Sequence, residues 1–114
     1  MSRIQFRSNP APTLGVEIEL ALVDADTMAL TDASQPILGA LPAGLRDSVK
    51  PELMQCYIEI NTAVCETVDE AERDLAAKLA VVERVAAGTG ARLYWTGTHP
   101  FSTWTEQRVT PDAR

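Results

Sequence analysis

The stretch Gly15-Val16-Glu17-Ile18-Glu19-Leu20 alternates between apolar and polar side chains at every position after the glycine. The alternation extends from Leu14 to Leu22, and a period of two residues is the pattern of a β-strand with one buried face. We therefore predict a strand over about 13–23 and a sheet whose second face is polar. Glu17 and Glu19 lie on that polar face as neighbours.

The two neighbouring glutamates have two interpretations. Like charges this close make each other harder to ionise unless a positive charge lies between them, and a divalent metal ion would supply that charge. An exposed polar face on an antiparallel strand accounts for the same pair without any metal. The pair alone leaves both interpretations open.

The composition is that of an acidic globular domain. The chain has 114 residues, of which 46% are hydrophobic, and 16 acidic against 10 basic residues give a formal net charge of -6. This length corresponds to one domain with a modest core. Without a basic stripe, no nucleic acid partner is expected. Since no segment reads as a membrane span or a signal peptide, we expect no membrane partner and a cytoplasmic location.

Three further segments carry a strand pattern. Residues 55–62 alternate as a second strand with Glu59 and Asn61 on its polar face, and residues 91–96 form a third strand. A turn after the first strand, followed by a short apolar segment at 28–31, predicts a return hairpin. Together with the helices below, these strands predict an α+β fold.

One segment carries a strong helical pattern. Apolar side chains recur at helical spacing over 68–87, beginning with Val68, and Thr67 is placed as the N-cap with Glu70 completing a capping box. The pair Asp74–Lys78 is expected on the exposed side of this helix. A short helix covering the sheet is predicted within 32–50.

If the strands form one sheet with the long helix on its apolar side, acidic side chains gather on the other face. Carboxylate oxygens suit Mg²⁺ or Mn²⁺, and an imidazole among them slightly favours Mn²⁺. Two members have alternatives: the only histidine could simply hydrogen-bond a backbone carbonyl in its turn, and Glu52 could begin a helix. The candidate metal ligands are Glu17, Glu19, Glu52, Glu59 and His99.

Three motifs in order resemble a known family. Gly15–Glu19, Tyr57–Cys65 and Gly97–Trp104 are similar to the N-terminal part of the carboxylate–amine ligases, the type 2 glutamate–cysteine ligase family. The resemblance extends from Thr13 to Arg114. Each motif alone is weak, whereas the ordered set of three is specific.

The resemblance implies a fold and a chemistry. The fold would be similar to the glutamine synthetase catalytic domain, a curved antiparallel sheet with helices on its outer face and the active site on its inner face. ATP would phosphorylate a substrate carboxylate to an acyl phosphate, and an amine would displace the phosphate to form an amide. Mg²⁺ or Mn²⁺ would be held by the five candidate ligands, Glu52 being the weakest match. Asn61 would contact the amino acid substrate or orient Glu59.

Members of this family are much longer than this chain. We therefore expect residues 1–12 to be a loose lead-in and residues 13–114 to be the N-terminal part of the catalytic domain, truncated at its C-terminus. Such a piece would expose strand edges and apolar surface and could form a homo-oligomer. The alternatives are a non-catalytic fragment that folds and self-associates, and a different metal-dependent phosphoryl-transfer enzyme.

Overall fold

A computed structural model describes residues 4–111 and shows an antiparallel sheet of four strands with helices packed on it. The strand order is β2-β3-β1-β4, which puts β1 in the interior and β2 and β4 at the edges. The prediction of an α+β fold is confirmed. The elements in chain order are β1 (Glu17–Asp24), α1 (Ser34–Ala40), β2 (Val49–Pro51), β3 (Tyr57–Asn61), α2 (Val68–Gly88) and β4 (Ala91–Tyr94), with single 3-10 turns at Ala43–Leu45 and Trp104–Glu106.

The two ends of the chain are described only in part. Residues 4–12, within the predicted lead-in, are exposed and contain no helix or strand. Residues 1–3 of that lead-in lie outside the described residues. Residues 112–114, at the expected C-terminal truncation, also lie outside the described residues.

The observed strands differ from the predicted ones in their bounds and in their number, and β3 and β4 are each shorter than predicted. β1 begins at Glu17, and residues 4–16 before it contribute only one isolated bridge, from Leu14 to Cys65. The return segment at 28–31 also makes a single bridge, from Val23 to Leu30, so the predicted hairpin has no second strand. β2 was not predicted, because three residues that end in a proline are too short to show a period. An edge strand tolerates that proline.

The hydrophobic core lies between the sheet and the helices. Leu20 of β1, Ile58 and Ile60 of β3, Val82 of α2 and Ile37 of α1 belong to one cluster, and none is more than 1% exposed. Burying a side chain of this size contributes about 1.5–3 kcal/mol relative to leaving it in water. The apolar face predicted for the strands is therefore the face that the helices cover.

Helix α2 begins as predicted, and its apolar stripe packs on the core except at Val68. The Thr67 hydroxyl accepts a hydrogen bond from the Glu70 N–H at 3.2 Å, which confirms the N-cap. The predicted capping box is wrong, because the Glu70 carboxylate accepts the N–H of Glu66 at 2.7 Å instead of that of Thr67. Val68 is 73% exposed, whereas Lys78 is buried. None of the helices within residues 4–111 has both the length and the apolar character needed to cross a bilayer.

The opposite face of the sheet carries its glutamates at one end only. Glu17 and Glu19 are exposed, but Ala21 and Val23 on the same face of β1 are completely buried. The segment after β4 lies against the residues that follow β1, because the Ser102 hydroxyl accepts the Leu30 N–H at 3.0 Å. The candidate site is therefore confined to the end of the sheet that carries the glutamates.

Candidate metal centre

The register between β1 and β3 places two predicted ligands directly opposite each other. Glu19 pairs with Glu59, and one step along the same face Glu17 pairs with Asn61. Directly opposed side chains have Cβ atoms about 4.5–5.5 Å apart, and like charges in that position destabilise the sheet. The sheet therefore holds two carboxylates together at a cost in stability.

Glu52 adds a third carboxylate to the same place. It follows the last residue of β2 and belongs to no helix, so the alternative that it begins a helix is wrong. One carboxylate oxygen each from Glu19, Glu52 and Glu59 lies within 4.8 Å of the other two. The first is exposed, while the other two are half-buried.

This spacing fits a hard divalent cation. Octahedral bonds of about 2.1 Å place adjacent ligand atoms about 3 Å apart and opposite ligand atoms about 4.2 Å apart. The three carboxylate oxygens, all within 4.8 Å of one another, are close to those separations. Three carboxylates also leave several coordination positions for water or phosphate oxygens. The three residues therefore fit a magnesium or manganese ion, and the metal role stays a prediction.

Crowding of the carboxylates shows in the protonation of Glu52. A hydrogen bond with the Glu59 side chain raises the pKa of Glu52, and partial burial raises it further. The charges of Glu19 and Glu59 act in the same direction, and the Leu53 N–H, which donates to the Glu52 carboxylate at 3.3 Å, opposes them. Without a cation, Glu52 therefore keeps a proton to higher pH than an ordinary glutamate. A bound cation would displace that proton.

Glu17 and Asn61 occupy the adjacent row of the same face. Glu17 is exposed, and its carboxylate is not one of the three that meet. The Asn61 side-chain oxygen is buried and has no hydrogen-bond partner among residues 4–111. A buried acceptor without a donor is unfavourable, and an ionised Glu17 cannot supply one. Asn61 is thus suited to accept a hydrogen bond from a ligand.

His99 is not brought to the carboxylates. Its Nε2 lies 2.8 Å from the carbonyl oxygen of Met28, and its Nδ1 accepts the N–H groups of Phe101 at 3.3 Å and Ser102 at 3.0 Å. Because Nδ1 accepts two bonds, the proton lies on Nε2, which donates to Met28. The backbone-bonded alternative is the one observed, and metal binding would require His99 to give up one of these bonds. Its role as a ligand stays a prediction without support from this arrangement.

A recess beside the carboxylates connects with a larger groove. The recess has a volume of about 250 Å³ and is lined by Glu19, Glu52 and Tyr57, among others. The groove has a volume of about 640 Å³, and it shares Tyr57 and Gly97 with the recess and includes Trp104. Tyr57 was not predicted as a site residue, although the period-two pattern of β3 places it on the same face as Glu59.

Comparison with known proteins identifies the family. Residues 13–114 match the model described as glutamate-cysteine ligase family 2 (GCS2). The chain belongs to this family. The resemblance predicted from the three motifs is therefore confirmed.

The relatives of this chain are about three times as long as the chain itself. It is 44% identical over 112 residues to a protein of Rubrobacter xylanophilus and 42% identical over 115 residues to one of Thermobifida fusca. It is 40% identical over 113 residues to one of Mycobacterium sp. (strain KMS). These proteins are named "Putative glutamate--cysteine ligase 2" or "2-1". The matches cover 97–99% of this chain but only 29–30% of each relative.

Proposed function

We propose that this chain forms part of an ATP-dependent carboxylate–amine ligase that makes a glutamate–cysteine type of amide bond in the cytoplasm. The observation that carries the proposal is the group of three carboxylate oxygens within 4.8 Å, formed by Glu19, Glu52 and Glu59. Family membership over residues 13–114 supports the reaction class. Because the chain spans about 30% of its curated relatives, the activity belongs to the longer protein.

The proposed reaction has two steps. A substrate carboxylate oxygen attacks the terminal phosphorus of ATP, the bond to the ADP oxygen breaks, and an acyl phosphate forms. The amine nitrogen then attacks the acyl carbon, inorganic phosphate leaves, and the amine proton passes to solvent or a base. A bound Mg²⁺ or Mn²⁺ would neutralise charge on the phosphate oxygens during transfer.

Residues of this chain have three roles in that proposal. Glu19, Glu52 and Glu59 would hold the cation, with Glu17 in the adjacent row and His99 as the further predicted ligands. The unpartnered oxygen of Asn61 would accept a hydrogen bond from the amino acid substrate, whose ammonium group is the natural donor. The recess beside the carboxylates offers room for the phosphate end of the nucleotide.

The reaction is tested by measuring ADP release from the longer protein that carries this chain. We expect ADP release to require a divalent cation, glutamate and an amine such as cysteine. ADP release that is independent of the amine would instead favour a different phosphoryl-transfer enzyme. Amine-dependent ADP release without any divalent cation would contradict the metal part of the proposal.

A non-catalytic, self-associating fragment is the second candidate. It is favoured by the two sheet edges, β2 and β4, and by exposed aromatic side chains, since Trp95 and Phe101 are 60% exposed and Trp104 is 78% exposed. Exposed edges and aromatic residues promote association between copies. Sedimentation of the isolated chain tests this: a concentration-dependent oligomer with Mn²⁺ binding but no ADP release supports it, and a monomer contradicts it.

A further inference from the structure

Helix α2 carries an ion pair between a buried lysine and a half-buried aspartate, and the pair contacts the backbone at the end of β3 and just beyond it. Lys78 is 8% exposed, and its Nζ donates to the Asp74 carboxylate at 2.7 Å and to the Asn61 carbonyl oxygen at 2.9 Å. The same Asp74 oxygen accepts the Ala63 N–H at 2.8 Å. The sequence-based expectation that this pair lies on the exposed side of the helix is therefore wrong for Lys78, whereas the Asp74 side chain is 29% exposed.

The ion pair lies where the pairing between β2 and β3 stops. At the N-terminal end of β2, Val49 pairs with Ile60. One residue further, the Asn61 N–H donates to the Ser48 carbonyl oxygen at 2.8 Å. The Asn61 carbonyl points to the same side as its N–H, where β2 no longer offers a donor. Because a buried backbone carbonyl needs a partner, the Lys78 ammonium supplies the hydrogen bond that a longer β2 would have supplied.

Residues 61–63 also hold the beginning of β1. Between the two positions that α2 contacts, Thr62 donates its N–H to the Val16 carbonyl at 2.9 Å and accepts the Val16 N–H at its hydroxyl, also at 2.9 Å. Val16 immediately precedes Glu17. Residues 61–63 therefore connect α2 to both strands that carry the candidate metal centre.

We infer that Asp74 and Lys78 are positioning residues for the carboxylate group, because they hold the ends of β1 and β3 at the register that opposes Glu19 to Glu59. They do not contact the proposed cation and act through the backbone of residues 61–63. The inference rests on the proposed function, since it assumes that the carboxylates bind a divalent cation. It makes a helix on the opposite side of the sheet a determinant of metal affinity.

Electrostatics and positioning predict opposite effects for Lys78→Met. Loss of a positive charge should strengthen cation binding slightly, because the repulsion between Lys78 and the cation disappears. Loss of a positioning contact should weaken binding, because Glu59 and Asn61 are no longer held. Methionine has a similar unbranched stem and fills the same space. The sign of the change therefore separates the two effects.

The experiment is a calorimetric titration of the chain with Mn²⁺, with urea unfolding of each variant to confirm that it is folded. The charge-matched control is Arg84→Met, which removes a positive charge from an exposed position of the same helix. We expect Lys78→Met to weaken Mn²⁺ binding about tenfold, at the lower end of the effect of groups that orient metal ligands. Arg84→Met should leave the affinity unchanged or slightly higher.

Affinity in Lys78→Met equal to or above that in Arg84→Met would overturn the inference. If Lys78→Met does not fold, the Mn²⁺ affinity of Asp74→Asn is compared with that of Asp69→Asn, which removes the same charge from an exposed position. A larger loss in Asp74→Asn than in Asp69→Asn supports positioning, and equal losses overturn it. Wild-type chain that binds no Mn²⁺ would instead overturn the proposed metal centre, and the inference with it.

Discussion

Replacing Glu52 with glutamine tests the candidate metal centre most directly. Glutamine keeps the shape of the side chain, and its amide can donate to Glu59 as the protonated carboxyl of Glu52 does. Without a divalent cation, an ionised Glu52 has an oxygen within 4.8 Å of oxygens of both Glu19 and Glu59. Each such pair repels by about 1 kcal/mol in a solvent-screened setting. Glu52→Gln is therefore expected to raise the free energy of unfolding by about 1–2 kcal/mol at neutral pH in a chelator.

The pH dependence of this effect has a definite sign. Because contact with Glu59 and burial raise the pKa of Glu52 above the ordinary value of 4.5, the folded chain keeps a proton that the unfolded chain has released. The free energy of unfolding of the wild type therefore falls as pH rises from 4.5 through the raised pKa. Glutamine does not titrate. The advantage of the variant should accordingly be absent at low pH and complete above this range.

Manganese should cancel most of the stability advantage of the variant. The variant has lost one of the three proposed anionic ligands, so we expect its Mn²⁺ affinity to fall at least about tenfold, which corresponds to about 1.4 kcal/mol less stabilisation at saturating Mn²⁺. The assay is urea unfolding followed by circular dichroism between about pH 4 and pH 8, with a chelator and with excess Mn²⁺. Glu83→Gln, an exposed substitution on α2, is the control. Equal unfolding free energies of Glu52→Gln and wild type under all these conditions would refute the reasoning.

Three further predictions use the same unfolding and titration measurements. Glu59→Gln removes the carboxylate that opposes Glu19 and should weaken Mn²⁺ binding at least about tenfold by calorimetry, and an unchanged affinity would show that Glu59 is not a ligand. His99→Ala leaves the Met28 carbonyl and two N–H groups unpartnered, so urea unfolding should show a loss of about 2–4 kcal/mol; a loss below about 0.5 kcal/mol would contradict this structural role. Thr67→Ala removes the N-cap bond of α2 and should lower the free energy of unfolding by about 1 kcal/mol, and no change would mean that the cap contributes nothing.

Periodicity predicted the parts of the fold that depend on a single segment. The alternation of β1 and β3 and the helical spacing of α2 identify their buried faces, because burial of a regular element imposes its own period on the sequence. β2 escaped prediction because three residues cannot display a period. The burial of Lys78 escaped prediction because a lysine at a helical position is ordinarily exposed. It is buried here because its ammonium finds a carboxylate and a backbone carbonyl.

The candidate site shows the same division. Residue type and face identified Glu19, Glu52 and Glu59 as candidates, and family resemblance supported them. The same reasoning included His99, whose ring instead serves the backbone of its own turn and of Met28. Whether a histidine ring is available to bind a metal depends on which backbone carbonyl lies against it in the folded chain. That carbonyl lies 71 positions away in the chain, so no local pattern reveals it.

The sequence by itself determined that this chain forms strands with one acidic face and one long capped helix. It also determined that the chain belongs to glutamate–cysteine ligase family 2. These properties follow from local periods and from ordered motifs, both of which are written along one dimension. Only the tertiary structure decided that Glu19 opposes Glu59, that Glu52 joins them, and that Asp74 and Lys78 hold the adjoining strand ends. Register and side-chain reach join residues that are distant in the chain, and those contacts exist only once the sheet has formed.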